Sequence, residues 1–238
     1  MAARRLVLLV VAVVFAGLLL FMFSSFGQSA SRTAMVMKFL TNPRAHQSLV
    51  VRAGQRCNGA PFAFPSDGMV GFIWDDSFRV GHRHQGIDIF AGTDVGVTPV
   101  YAATAGYLSR APGWVSSVII RVPSDPLQPG TQIWTYYTHM ADAAGNSFVD
   151  GRFAEGTEEM WVDAGTLLGY QGNYSGDPAN PVGVHLHFSV TKDDGSGRWL
   201  NELEIGNTND PSPYLGMQLN RNTNPDGIPM CENAEVVW

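Results

Sequence analysis

One stretch of the chain reads Gly183-Val184-His185-Leu186-His187-Phe188-Ser189-Val190, and its apolar residues predict a buried β-strand. Because side chains alternate between the two faces of a strand, His185 and His187 project from one face and Leu186 and Phe188 from the other. Two imidazoles roughly 7 Å apart on one face are a costly way to fill a core. A single buried histidine is usually a hydrogen-bonded core residue, but a pair on one face favours a metal or catalytic site.

The fold class predicted for the rest of the chain is an all-β, antiparallel domain with long loops. The 26 glycines and 14 prolines separate short runs of β-branched and aromatic residues from Cys57 onward. The clearest predicted strands are residues 97–102, 106–108, 114–122, 133–139, 167–170 and 185–191. We expect no amphipathic helix of three turns anywhere after the N-terminal leader, and we expect residues 142–161 to form a loop over one rim of the domain.

The N-terminal segment is interpreted as a targeting element. Arg4 and Arg5 precede an uncharged apolar run at residues 6–23, about 18 residues long and near the lower limit for crossing a bilayer. Residues 1–30 are therefore predicted to be one apolar helix that anchors the protein in a membrane, with a cleaved signal peptide as the second interpretation. Both interpretations place the remainder of the chain outside the cytoplasm.

Composition divides the remaining residues into a basic stalk at 31–56, one domain at 57–200 and an acidic tail at 201–238 that packs on the domain. With 45% hydrophobic residues, the 238-residue chain can bury one full core, and its length does not require two. The net charge is −6 and there is no dense basic patch with interleaved aromatics, which argues against nucleic acid as a partner. Cys57 and Cys231 have no CxxC partner and are predicted to form one disulfide in an oxidising compartment.

Five of the six histidines fall into three clusters, which read His82-Arg83-His84-Gln85-Gly86-Ile87-Asp88, Tyr137-Thr138-His139 and His185-Leu186-His187. Imidazole nitrogens with one carboxylate suit Zn²⁺, and a catalytic zinc keeps one position open. His84 and Asp88 with one histidine of the strand pair would make a three-ligand site. The other strand histidine and His139 would then be free to move protons or to stabilise an oxyanion.

These motifs resemble the M23 (LytM/lysostaphin-type) zinc metallopeptidases, which cut peptide bonds in bacterial peptidoglycan. The matching text follows the family's order over about residues 80–190 and reads His84-Gln-Gly-Ile-Asp88, Thr98-Pro-Val-Tyr-Ala-Ala-Thr-Ala-Gly106, Tyr137-Thr-His139, Val162-Asp-Ala-Gly-Thr-Leu-Leu-Gly169 and His185-Leu-His187-Phe. HxH alone is a weak signal, whereas HxxxD, Tyr-x-His and HxH together are highly specific. The resemblance implies a groove lined by a large antiparallel sheet, the duplicated-hybrid-motif type of fold.

The same resemblance implies roles for five residues. His84, Asp88 and His187 would bind Zn²⁺, and His139 and His185 would be the catalytic histidines. His82 is a competing candidate ligand, but the family spacing to Asp88 favours His84. Tyr174 is the one aromatic residue assigned here to the substrate groove, because its loop adjoins the site.

The function implied is an exported zinc endopeptidase that hydrolyses stem or cross-link peptides of peptidoglycan. The main alternative is a non-catalytic module of the same fold that binds the cell wall or activates another hydrolase; the sequence signature of such a module would be a missing ligand. A third possibility keeps the chemistry but changes the substrate to a host or prey protein. The loops at residues 124–132 and 174–184 are longer than in the family pattern. Both would change the substrate specificity and leave the type of reaction unchanged.

Overall fold

The structure is a computed structural model that describes residues 10–17, 25–77 and 81–238. In chain order the elements are α1 (Ser25–Thr41), a 3-10 helix at Pro43–Leu49, β1 (Gln55–Arg56), β2 (Met69–Val70), β3 (Ile87–Phe90), β4 (Pro99–Tyr101), β5 (Gly106–Arg110), β6 (Val118–Val122), β7 (Ile133–Thr138), β8 (Thr157–Val162), β9 (Leu167–Tyr170), β10 (Leu186–Lys192), a 3-10 helix at Ile205–Asn207, β11 (Thr208–Asn209), α2 (Ser212–Leu215) and β12 (Glu235–Val236).

The N-terminal apolar run at residues 6–23 lies for the most part outside the described residues. Of that run, residues 10–17 are helical and exposed. None of the helices in the described parts of the chain has both the length and the apolar character needed to span a bilayer.

The main sheet is antiparallel and has the strand order β2-β3-β10-β7-β6-β5-β8, with β11 also paired to β10. Strand β10 lies near its middle, between β3 and β7. Leu186, Phe188 and Val190 of β10 are fully buried in the main core. The all-β, antiparallel fold class is therefore confirmed. Two smaller antiparallel pairs, β1 with β12 and β4 with β9, complete the strands.

Most of the predicted strands are present, and two are shorter than expected. The stretches 106–108, 133–139, 167–170 and 185–191 correspond to β5, β7, β9 and β10, while 97–102 and 114–122 shorten to β4 and β6. The prediction of a loop throughout 142–161 is wrong at its end, because β8 begins at Thr157 and forms the edge of the main sheet. Four consecutive side chains of β8 are exposed, so the strand lacks the alternation that would have revealed it.

A helix was not expected after the leader, and this prediction is also wrong. Helix α1 has 17 residues and buries Arg32, Val36 and Phe39 against the domain. Val36 and Phe39 pack with Met69 and Phe90. The apolar stripe is narrow and has an arginine at its start, so the helical periodicity is weak. The boundaries of the proposed stalk, domain and tail stay predictions.

The C-terminal segment contributes to the main core. Tyr214, Leu215 and Leu219 belong to the same buried cluster as the strands of the main sheet. Cys57 and Cys231 form a disulfide, as predicted, with their Cα atoms 5.2 Å apart and a separation of 174 positions in sequence.

Candidate metal centre

Two of the predicted ligands meet through strand register. His187 in β10 is directly opposite Asp88 in β3. His84 lies three residues before the start of β3 and is buried like the other two. A Cβ atom at Gly86 would lie 2.2 Å from the carbonyl oxygen of Phe188, so only glycine permits this approach of the His84 segment to β10.

Three donor atoms converge at this point. His84 Nε2 lies 3.1 Å from Asp88 Oδ1 and 3.1 Å from His187 Nδ1, and His187 Nδ1 lies 3.0 Å from Asp88 Oδ1. Ligands at about 2.0–2.1 Å from a tetrahedral zinc are about 3.3 Å apart. Among the described residues, His84, Asp88 and His187 form the one group of histidine, cysteine and acidic side chains with the spacing of a metal site.

The outer nitrogens of both histidines are occupied by hydrogen bonds. His84 Nδ1 lies 3.1 Å from the carbonyl oxygen of Ile73, and His187 Nε2 lies 2.8 Å from Glu202 Oε1. Since both partners are acceptors, each outer nitrogen carries its proton, and in the neutral rings each inner nitrogen presents a lone pair. Two lone pairs and a carboxylate oxygen within 3.1 Å of one another require a cation between them. The residues therefore fit a metal ion.

The electrostatics agree with this arrangement. Burial opposes ionisation of Asp88, but His84 and His185 outweigh it and hold the pKa of Asp88 well below its usual range. Burial would lower the pKa of His187, but the carboxylates of Glu202 and Asp88 raise it to about 10. Without a metal, the cation beside Asp88 is thus a proton on His187, and a metal ion that bound there would displace it.

His139 and His185 lie next to the three donors. The two rings have centroids 4.5 Å apart, and His185 Nε2 lies 3.5 Å from Asp88 Oδ1. Both Nδ1 atoms are held by backbone carbonyl oxygens at 2.6 Å, that of Tyr174 for His139 and that of Gly183 for His185. Each Nδ1–H is therefore a donor to a backbone carbonyl, which leaves Nε2 as the nitrogen of each ring that faces the other site residues.

His139 has two further features of a functional residue. Its φ is +72°, a left-handed conformation that non-glycine residues adopt rarely and often at active sites. Burial, together with His185 and His187, lowers the pKa of His139 to about 3. The ring is therefore neutral at physiological pH.

The other two candidates, Tyr174 and His82, lie outside the group of three ligand atoms. Tyr174 contacts His139 through its backbone carbonyl oxygen, and its half-buried ring lies near Gly145. Its assignment to a substrate groove stays a prediction. The ring of His82 lies 6.3 Å from that of His84, and His82 does not belong to the three-donor group.

Sequence reasoning missed Glu202. This residue was placed in the acidic tail, 15 positions beyond the histidine that it contacts, and Glu204 beside it is chemically identical. Nothing in the sequence distinguishes the two, because the contact depends on how the loop after β10 folds back.

The same sheet face carries aromatic residues beyond the histidines. Thr138, Tyr136 and Trp134 of β7 lie opposite His187, Ser189 and Thr191 of β10. We call the four residues Trp114, Trp134, Tyr136 and Trp199 the aromatic wall. Trp114 packs edge-on against Tyr136 at 5.6 Å, and Trp199 lies 5.8 Å from Trp114 and 6.4 Å from Trp134 between ring centroids.

No protein-family model matches the sequence, and no curated protein matches it. Solved structures do. Csd3 from Helicobacter pylori is 22% identical, over 64% of this chain and 35% of that one, with a TM-score of 0.37. A Ruminococcus gnavus protein provisionally described as the glycyl-glycine endopeptidase lytM is 23% identical, over 60% of this chain and 47% of that one, with a TM-score of 0.35.

A mutant catalytic domain of the prophage-encoded M23 protein EnpA from Enterococcus faecalis is also similar. It is 21% identical, over 61% of this chain and 92% of that one, with a TM-score of 0.37. The structures similar to this chain thus include M23 and lytM proteins. The chain spans about a third of the length of Csd3 and about half that of the lytM protein.

Proposed function

We propose that this protein is a zinc metalloendopeptidase of the M23 type that hydrolyses peptide bonds in bacterial peptidoglycan. The observation that carries the proposal is the convergence of His84 Nε2, Asp88 Oδ1 and His187 Nδ1 within 3.1 Å, beside two further histidines whose Nδ1 atoms are held by backbone carbonyl oxygens. This combination would supply three metal ligands and two further imidazoles in one place.

The choice of zinc follows from the ligand types. Two imidazoles and one carboxylate suit Zn²⁺, whereas Mg²⁺ and Ca²⁺ prefer oxygen ligands throughout. Three protein ligands are also the number found in catalytic zinc sites, where the fourth position is open. His84, Asp88 and His187 would hold the ion.

A zinc ion held there would act as a Lewis acid and activate water as a nucleophile near neutral pH. His139 and His185 would perform the proton transfers. Each has Nδ1–H fixed by a backbone carbonyl, so Nε2 can accept a proton from the nucleophile and return it to the leaving amine. The same groups, once protonated, can stabilise the negative charge of a tetrahedral oxyanion.

The proposed substrate is a peptide in an extended conformation. The sheet face that carries His187 continues through Thr138 and Tyr136 to the aromatic wall, and this provides an extended surface beside the three donors. The proposed location is outside the cytoplasm, because the disulfide between Cys57 and Cys231 is of a kind that persists in oxidising compartments. Anchoring by residues 1–30 remains part of the proposal.

The test uses the full chain, purified in detergent. We expect one zinc per chain and release of new amine termini from purified peptidoglycan. A chelator should abolish the release, and added zinc should restore it. His46→Ala is a control for a histidine outside the site and should bind zinc and release amines like the wild type. His46 lies in the 3-10 helix at Pro43–Leu49, where its ring hydrogen-bonds the carbonyl oxygen of Asn42 in its own turn.

The outcomes separate the hypotheses. Zinc binding without amine release from any peptidoglycan would contradict catalysis and favour the non-catalytic wall-binding or activating module. Absence of zinc from a folded protein would contradict the metal centre itself. Release of amines from host or prey proteins but not from peptidoglycan would keep the chemistry and change the substrate.

A further inference from the structure

Glu202 has no role in the function proposed so far, yet it touches a proposed ligand. Its Oε1 accepts a hydrogen bond from His187 Nε2 at 2.8 Å, and its side chain is only 13% exposed. A carboxylate that is withdrawn from water needs a compensating partner. Its partners are the hydroxyl of Ser189 and the imidazole of His187, whose other nitrogen, Nδ1, faces His84 and Asp88.

The loop that carries Glu202 is held in place at several points. Gln85 Nε2 donates to the carbonyl oxygen of Leu203 at 2.7 Å, and Lys192 Nζ donates to that of Gly206 at 2.8 Å. Asn207 Nδ2 closes the loop on the carbonyl oxygen of Asn201 at 2.9 Å. Gln85 follows His84 directly in sequence, so the segment that supplies one proposed ligand also fixes the loop that contacts the other.

We propose that Glu202 is a positioning residue for the metal centre, an inference that rests on the proposed zinc function. By accepting the proton of Nε2, it fixes the His187 tautomer in which Nδ1 has a free lone pair. It also holds the ring plane toward the other two donors and increases the basicity of the imidazole. Carboxylates commonly support metal-bound histidines in this way.

Removal of Glu202 makes the opposite tautomer accessible. Without an acceptor at Nε2, His187 can place its proton on Nδ1, where Asp88 Oδ1 lies 3.0 Å away and accepts it. In that tautomer the free lone pair lies on Nε2, away from His84 and Asp88, and Glu202 no longer holds the plane of the ring. Glu202→Ala should therefore weaken zinc binding by about 10- to 100-fold, the range typical for loss of such a partner.

The experiment compares four full-length proteins: wild type, Glu202→Ala, Glu202→Gln and Glu204→Ala. Zinc affinity is measured by competition with a chromophoric chelator, and the ligand field is recorded from the absorption spectrum after loading with Co²⁺. Glu202→Gln keeps an acceptor oxygen but loses the charge, so its affinity should lie between those of wild type and Glu202→Ala. Glu204 is exposed on the same loop, so Glu204→Ala should bind zinc within about twofold of wild type.

The possible failures are distinguishable. Equal zinc affinity for wild type and Glu202→Ala would overturn the positioning role and leave the proposed function intact. A lower melting temperature of metal-free Glu202→Ala with unchanged affinity and an unchanged Co²⁺ spectrum would also overturn it, because that result describes a merely structural residue. Failure of the folded wild type to bind zinc would overturn the proposed function and this inference together.

Discussion

His187 connects the sheet to the candidate metal centre. Its neighbours Leu186 and Phe188 are fully buried in the core, and its own ring points to the opposite face. There Nδ1 joins His84 and Asp88, while Nε2 reaches Glu202. The position and contacts of His187 thus depend on strand alternation, on register with β3 and on the loop after β10.

The two histidines of the HxH pair should differ when each is replaced. We expect His187→Ala to lose zinc binding by more than the roughly 10- to 100-fold typical of a supporting residue, and to lose hydrolysis with it. His185→Ala should keep most of its zinc, because its Nε2 is 3.5 Å from Asp88 Oδ1 and outside the three-donor group. Its turnover should fall by about 10²- to 10⁴-fold, the usual contribution of a general acid or base.

Zinc content and amine release, measured on the same preparations, distinguish the two roles. His46→Ala again serves as the control for a histidine outside the site. Full activity in His185→Ala, or full zinc content in His187→Ala, would show that the roles are wrongly assigned.

At the residue scale, the alternation of side chains predicted where the histidines lie but not which of them binds the metal. Alternation placed His185 and His187 on one face, but the choice between them as ligand came from the resemblance to the M23 family. The structure brings all five polar residues together, and their individual roles stay predictions. Glu202 was not predictable, because its contact joins residues 15 apart through a loop whose path no local rule fixes.

At the scale of elements, the approach of the His84 segment to β10 depends on Gly86. Gly86→Ala would place a Cβ atom 2.2 Å from the carbonyl oxygen of Phe188, which is backbone and cannot rotate away. We expect a loss of about 1–3 kcal/mol or more in the free energy of unfolding, together with weaker zinc binding, because β3 and β10 must separate.

Gly151→Ala is the matched control for this substitution. A Cβ atom at Gly151 would meet nothing within 4 Å, and its φ is not in the left-handed region. The free energy of unfolding of Gly151→Ala should therefore differ from that of wild type by less than about 1 kcal/mol, or be slightly higher. Denaturant unfolding and zinc competition measure both effects, and equal behaviour of the two variants would contradict the role given to Gly86.

The elements that sequence reasoning found and those that it missed differ in how they are buried. Strand β10 has an apolar core face that any strand rule detects, whereas β8 is an exposed edge strand without alternation. Helix α1 was missed because Arg32 occupies its buried face. The guanidinium is satisfied there by Asp76 at 2.9 Å and by the carbonyl oxygens of Asn224 and Gly227, partners that lie far away in sequence.

At the scale of the whole molecule, helix α1 and the C-terminal segment both pack on the domain. Helix α1 brings Val36 and Phe39 onto Phe90, which in turn stacks on His185 with ring centroids 5.0 Å apart. The C-terminal segment supplies Glu202 to the candidate metal centre and Tyr214 and Leu219 to the core. The site therefore depends on residues outside 57–200, the span that composition assigned to the domain.

The last prediction concerns truncation at that boundary. A chain that ends at residue 200 would lose four residues buried in the main core, namely Tyr214, Leu215, Met217 and Leu219. Each large apolar side chain contributes about 1.5–3 kcal/mol on burial, so their sum is comparable to the 5–15 kcal/mol by which a typical protein is stable. We expect this truncation to unfold or aggregate and to lose the candidate metal centre with Glu202.

A chain that ends at residue 232 is the control. It keeps Cys231 and loses only the exposed β12 and the last residues, so it should stay folded. Circular dichroism, thermal melting and zinc content of the two truncated chains test this difference. A folded, zinc-binding chain that ends at residue 200 would show instead that residues 57–200, with the segment before them, form a self-sufficient unit.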